Sequence, residues 1–193
     1  RLAFGALCIF LYVGAEVAIG SLLVNYLMQP KVMGLGQVAA GEHVPFYWGG
    51  ALVGRFIGAG LLRRFSPGKV LAAFAAGALA LLLLSGAGSG AWAGWALLLV
   101  GFCNSLMFPT IFSLACEGLG EKAAGASGVI CVAIVGGAVV PLLTGRLADL
   151  LGLQLALIAP AACYVVILLF GLYARRPAPP LALEVEELAP AVA

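Results

Sequence analysis

The sequence predicts an all-α membrane protein with six transmembrane helices, and three observations carry that expectation. Apolar residues make up 64% of the chain and charged residues 9%, against roughly 25% charged in soluble domains. Mean hydropathy is +1.15. Apolar runs near the ~20 residues that cross a bilayer recur along the chain, separated by short connections.

Spans are expected at about 3–28, 45–62, 70–86, 92–114, 124–143 and 153–173. The first run, Leu2 to Met28, is about 40 Å long as a helix, more than the ~30 Å hydrocarbon core requires. A polar connection from Lys31 to Val44 precedes the second span, and the basic stretch Arg63-Arg64-Phe65-Ser66-Pro67-Gly68-Lys69 precedes the third. Only Ser85-Gly86-Ala87-Gly88-Ser89-Gly90 separates the third span from the fourth. Such a charge-free run of small residues reads as a turn. Polar connections from Glu117 to Lys122 and from Thr144 to Gly152 bound the last two spans. Gly50, Gly54 and Gly58, and Gly128, Gly136 and Gly137, fit close helix approach. Pro109, Pro141 and Pro160 fall inside or near the ends of spans, where they kink helices or shape packing.

Alternating the loops puts Arg1, Arg63, Arg64, Lys69, Lys122, Arg175 and Arg176 on one side and Lys31 and Arg146 on the other. The positive-inside rule then places both ends in the cytoplasm, and residues 1–176 are expected to lie in a bacterial inner membrane. Residues 177–193, with Pro177, Pro179, Pro180, Glu184, Glu186 and Glu187, read as a disordered cytoplasmic tail. No signal peptide precedes the first span. The chain begins at Arg1 directly on that span, so it is expected to be a fragment with residues missing upstream.

A net charge of +2 leaves no footprint for nucleic acid. Cys8, Cys103, Cys116, Cys131 and Cys163 lack CxxC spacing or histidine companions and read as small hydrophobes. The single histidine, His43, sits in a loop beside Glu42. No catalytic triad, metal-ligand spacing or cofactor motif accompanies it, so neither an enzyme nor a metal site is expected. Pore signatures such as Asn-Pro-Ala repeats or a TVGYG-like filter are also missing from the sequence.

Polar residues inside spans are few enough to weigh singly. Glu16 lies near the membrane midplane, where an ionisable group costs at least ~2.5 kcal/mol and by default marks a substrate or proton path. Its bland alternative is a buried carboxyl that only locks helices together. Tyr12 lies four residues earlier on the same helix face, whereas Ser21 and Asn25 share the opposite one. One face suits a cavity lining and the other a bond to a neighbouring helix. Asn104 lies mid-span with Ser105, and Thr110 follows one turn later. An amide both donates and accepts, as sugar hydroxyls do, so Asn104 is a candidate ligand; the alternative is an interhelical bond worth ~0.6–2 kcal/mol. Arg55, about two turns from the cytoplasmic end of its span, reads as a gating or structural charge that snorkels outward or reaches toward Glu16.

Four blocks in order carry a family resemblance: Tyr12-Val13-Gly14-Ala15-Glu16-Val17-Ala18-Ile19-Gly20-Ser21, Gly54-Arg55-Phe56-Ile57-Gly58, the stretch from Met107 to Ala115, and the stretch from Ile134 to Leu143. Over residues 1 to about 175 the chain resembles the glucose/galactose branch of the fucose–galactose–glucose:proton symporters of the major facilitator superfamily. The resemblance implies helices seven to twelve of a twelve-helix fold, that is, one half built from two inverted three-helix repeats. It also implies a hexose substrate, a coupling proton or in its place sodium, and the N-terminal half of the same transporter as partner. Relatives are generally held to carry their coupling carboxylates in that first half, so Glu16 rests on its depth alone. The Arg63, Arg64 and Lys69 loop is similar to the superfamily's loop motif but lacks its usual acid.

The expected function is therefore proton-coupled hexose transport by alternating access, with this chain supplying the C-terminal half. The alternatives are a half-length protein that no longer transports, and a facilitator for another small solute.

Overall fold

A computed structural model describes residues 1–176, which form helices α1 (Leu2–Met28), α2 (Gln37–Leu62), α3 (Pro67–Ala87), α4 (Ala91–Asn104), α5 (Met107–Cys116), α6 (Ala123–Ala133), α7 (Gly136–Leu151), α8 (Leu153–Ala156) and α9 (Ile158–Tyr173). A single 3₁₀ turn, Gly120–Lys122, leads into α6. The expected tail, residues 177–193, lies outside the described residues.

The local chemistry explains the punctuation. Pro67 sits at the start of α3, where a missing N–H costs nothing. Gly90, at φ +73, turns the chain back into α4, and its N–H donates to the Lys31 carbonyl at 2.7 Å. Gly152, at φ +87, ends α7 while its N–H still reaches the Ala148 carbonyl.

Four expected connections are shortened: α3 takes in Pro67 to Lys69 of the basic stretch and Ser85 to Ala87 of the small-residue run. The Lys31 to Val44 stretch is helical from Gln37 onward, and most of Thr144 to Gly152 belongs to α7. Hydropathy reports where a helix meets water rather than where its hydrogen bonds stop, so polar terminal turns of a helix look like loop in sequence. Three further interruptions fall inside expected spans. They separate α4 from α5 at Ser105 and Leu106, α6 from α7 at Ile134 and Val135, and α8 from α9 at Leu157.

Among the described residues, five segments are long and apolar enough to cross a membrane: Leu2–Met28, Pro67–Ala87, Ala91–Cys116, Gly120–Leu151 and Leu153–Tyr173. Helix α2 has the length, at 26 residues, but Glu42, His43, Pro45, Arg55 and its glycines dilute its hydropathy.

Helix α1 packs against α2, α4, α5, α6, α7 and α9, so its buried face is the axis of the bundle. Small residues set the close crossings. A Cβ on Gly14 would lie 2.6 Å from Val140 Cβ, and one on Gly171 would lie 2.7 Å from the Ala72 nitrogen. These positions fix α1 on α7 and α3 on α9 through van der Waals contact, the main attraction open to helices in lipid.

The ends of the bundle are tied by polar bonds. At one end Arg1 pairs with Glu117 at 2.7 Å and donates to the Ala174 and Arg176 carbonyls. At the other, Tyr26 donates to the Ser85 carbonyl at 2.6 Å and Gln154 donates to that of Gly88 at 2.9 Å. The starts of α1 and α3, the end of α5 and the end of α9 thus share the Arg1 end.

Candidate functional site

The helix interruption at Ser105–Leu106 organises the polar chemistry of the bundle. Asn104 is the last residue of α4, and Pro109 is the third residue of α5. Proline has no N–H, so the carbonyl four residues earlier, that of Ser105, is left without its helical donor. Arg55 of α2 supplies one, donating from Nε at 3.3 Å. Gly54 lets α2 come this close: a Cβ there would lie 2.6 Å from the Phe102 carbonyl oxygen.

Asn104 is 1% exposed. Its Nδ2 donates to the Tyr47 hydroxyl at 2.8 Å, and its Oδ1 accepts from Tyr164 at 2.6 Å. The backbone carbonyl of Asn104 lies 3.0 Å from the Tyr12 hydroxyl, which also lies 2.8 Å from Glu16 Oε1. Four helices, α1, α2, α4 and α9, therefore meet through one hydrogen-bonded cluster.

An open cavity of about 500 Å³ borders this cluster, with Tyr12, Glu16, Arg55, Ser105, Phe108 and Pro109 in its wall. The wall is mostly apolar, and the Glu16 carboxylate, the Tyr12 phenol, the Arg55 guanidinium and Ser105 are its polar members. Such an arrangement suits a small polyhydroxylated solute, whose hydroxyls need both an acceptor and a donor.

The sequence candidates separate in space. Tyr12, Glu16 and Arg55 come together on the cavity. Arg55 does not pair with Glu16; among the described residues the one ion pair is Arg1 with Glu117. Asn104 lies behind the cavity wall, bonded to two tyrosines, in the interhelical arrangement weighed against sugar contact. Thr110 is 3% exposed and its Oγ1 has no partner. Asn25 is exposed and apart from the cluster, while Ser21 bonds back to the Val17 carbonyl of its own helix. Arg63, Arg64 and Lys69 are exposed around the α2–α3 connection. Tyr47 and Tyr164 are cluster members that the sequence reading passed over. Their signal was available, because a tyrosine buried in an apolar span still needs a partner for its hydroxyl.

No family model matches the chain. It is 52% identical over 176 residues to a glucose/galactose transporter of Brucella abortus, covering 91% of this chain and 43% of that protein. It is 35% identical over 170 residues to the L-fucose-proton symporter of Escherichia coli, covering 88% of this chain and 39% of the relative. The crystal structure of a major facilitator superfamily transporter, FucP, in the outward conformation superimposes with a TM-score of 0.87 at 34% identity, over 92% of this chain and 42% of that one. A peptide transporter shares the fold alone, at 17% identity and a TM-score of 0.80 over 97% of this chain and 42% of its own. The chain thus has the fold of a major facilitator superfamily transporter. Its curated relatives include proteins named as a glucose/galactose transporter and an L-fucose-proton symporter, and it spans about two fifths of the length of the curated relatives it matches.

Proposed function

We propose that this chain is the C-terminal half, helices seven to twelve, of a transporter that moves a hexose of the glucose/galactose type with a coupling proton by alternating access. The observation that carries the reading is Glu16, which joins Tyr12 and Arg55 on an open cavity in an otherwise apolar bundle. A carboxylate at midplane depth accepts from sugar hydroxyls when ionised and carries a proton when neutral. Relatives named for glucose, galactose and fucose support the substrate class.

The half-transporter role has a packing argument of its own. Gly50, Gly54 and Gly58 face α4, its end and the α5 junction, but Gly41, Gly49 and Gly60 of α2 have nothing within 4 Å, as do Gly125 and Gly128 of α6. Small residues without a neighbour suit a missing wall, because alternating access rocks two halves about a shared site. In this reading the interrupted rods α4–α5, α6–α7 and α8–α9 each cross the membrane once, giving six spans with α1, α2 and α3. The Arg1 end faces the cytoplasm of a bacterial inner membrane.

The test is Glu16→Gln in the full-length transporter. Hexose uptake driven by a proton gradient should fall at least tenfold at unchanged membrane abundance. Unchanged uptake and unchanged pH dependence would make Glu16 a structural residue, and dependence on sodium in place of protons would overturn the choice of coupling ion.

A further inference from the structure

We infer that Tyr12 is a positioning residue that passes the protonation state of Glu16 to the interruption between α4 and α5, by reversing the direction of one hydrogen bond. The inference rests on the proton-coupling reading of Glu16 and adds to it the route by which the protein senses the proton.

The argument starts from an inequality of donors and acceptors. The Tyr12 hydroxyl has one proton, and two acceptors stand within reach of it: Glu16 Oε1 at 2.8 Å and the Asn104 carbonyl at 3.0 Å. The residue is 3% exposed, so water does not readily supply the missing donor. With Glu16 ionised, the hydroxyl donates to the carboxylate, since a charge-assisted bond is roughly twice as strong as a neutral one. The Asn104 carbonyl then loses that donor. With Glu16 protonated, the carboxyl O–H donates to Tyr12 Oη, and the tyrosine proton rotates to the Asn104 carbonyl. Tyr12 keeps its own proton throughout. The transported proton resides on Glu16 and leaves from it, so only the direction of donation changes.

The place where this signal arrives gives it a consequence. Asn104 closes α4, its amide joins Tyr47 of α2 to Tyr164 of α9, and the next carbonyl, that of Ser105, is held by Arg55. Two successive carbonyls at one helix interruption are therefore bonded by side chains from two different helices. Binding or releasing a proton on α1 strengthens or weakens one of those two ties, and the interruption is the segment of this rod with the fewest regular helix bonds to resist a bend. The other groups facing Glu16 are few. Helix α2 presents Arg55 and Tyr47, α9 presents Tyr164 beyond Asn104, and α5 presents the apolar Phe108 and Pro109. None of these offers Glu16 a hydrogen bond within the cluster; Tyr12 does.

The experiment compares Tyr12→Phe and Glu16→Gln with the wild type in the full-length transporter reconstituted in liposomes. For Y12F, proton-driven hexose accumulation should fall at least tenfold more than hexose counterflow, which needs no net proton movement. The pH dependence of hexose affinity should flatten. A Y12F protein with wild-type accumulation and pH dependence, beside a Glu16→Gln protein that has lost both, would overturn the relay and leave Glu16 as the coupling group. If Glu16→Gln also behaves as wild type, the coupling reading itself falls. A second measurement decides the matter if Y12F does not fold. In the wild type with isotope-labelled tyrosine, acidification should shift the infrared carboxyl band of Glu16 and a tyrosine C–O band together, and a carboxyl change without a tyrosine change would contradict the proposal.

Discussion

Arg55 of α2 donates to the carbonyl of Ser105, which the missing N–H of Pro109 leaves without its regular helical partner. A charged side chain within an apolar span thus completes the hydrogen bonding of a neighbouring helix. Its other exit, along the cavity it shares with Glu16, stays open.

This relationship predicts a compensating pair. Arg55→Ala should lower the thermal stability of the full-length protein by removing the donor, and adding Pro109→Ala should recover part of the loss by restoring a backbone N–H. One bond of this kind contributes ~0.5–1.5 kcal/mol, more when charged. Thermal unfolding of the two single variants and the double variant provides the check. Strict additivity would show that the proline and the arginine do not share the carbonyl.

The Asn104 amide sets a second prediction. Asn104→Ala removes partners from both Tyr47 and Tyr164, so it should destabilise the bundle, and part of that loss should vanish when Tyr47 is already phenylalanine. The coupling energy in a double-mutant cycle is expected near ~0.6–1.7 kcal/mol, the range for interhelical bonds in membranes. A coupling of zero, together with a large loss of hexose affinity at unchanged stability, would return Asn104 to direct sugar contact.

Glycine packing supplies a third. Gly54→Ala places a methyl against the Phe102 carbonyl and the Ser105 side chain, whereas Gly49 has nothing within 4 Å. Overpacking costs typically ~1–3 kcal/mol, so residues 1–193 in detergent should lose stability with Gly54→Ala and not with Gly49→Ala. Equal melting temperatures would contradict the close α2–α4 crossing.

Orientation gives a fourth. In a cysteine-free full-length background, a cysteine at position 67 should react with an impermeant reagent only from the cytoplasmic side, and one at position 31 only from outside. Labelling of position 67 from outside would invert the topology.

Much of the architecture was legible before any coordinates, because hydropathy and charge report directly on depth in a bilayer. Glu16 and Tyr12 were placed on one face from a spacing of four, and they are hydrogen-bonded at 2.8 Å. The interruption at Ser105–Leu106 was not legible. Asn104 and Ser105 are polar, but such residues also occur within continuous helices, and Pro109 alone does not say whether a helix bends, breaks or continues, as Pro45 and Pro141 inside intact helices demonstrate. Asn104 illustrates a different limit. Its type and depth fit both a sugar ligand and a helix tie, and the distances to Tyr47 and Tyr164 show the amide tying helices. Asn25 lies on the helix face opposite Glu16, as its spacing implies, and is exposed there.

The central claim, that this chain is one wall of a two-walled sugar site, is tested most directly by counterflow. Residues 1–193 reconstituted alone in liposomes should insert but exchange neither glucose nor galactose, and the same residues joined to the upstream half should exchange both in a saturable manner. Saturable, stereoselective exchange by residues 1–193 alone would contradict the half-transporter account.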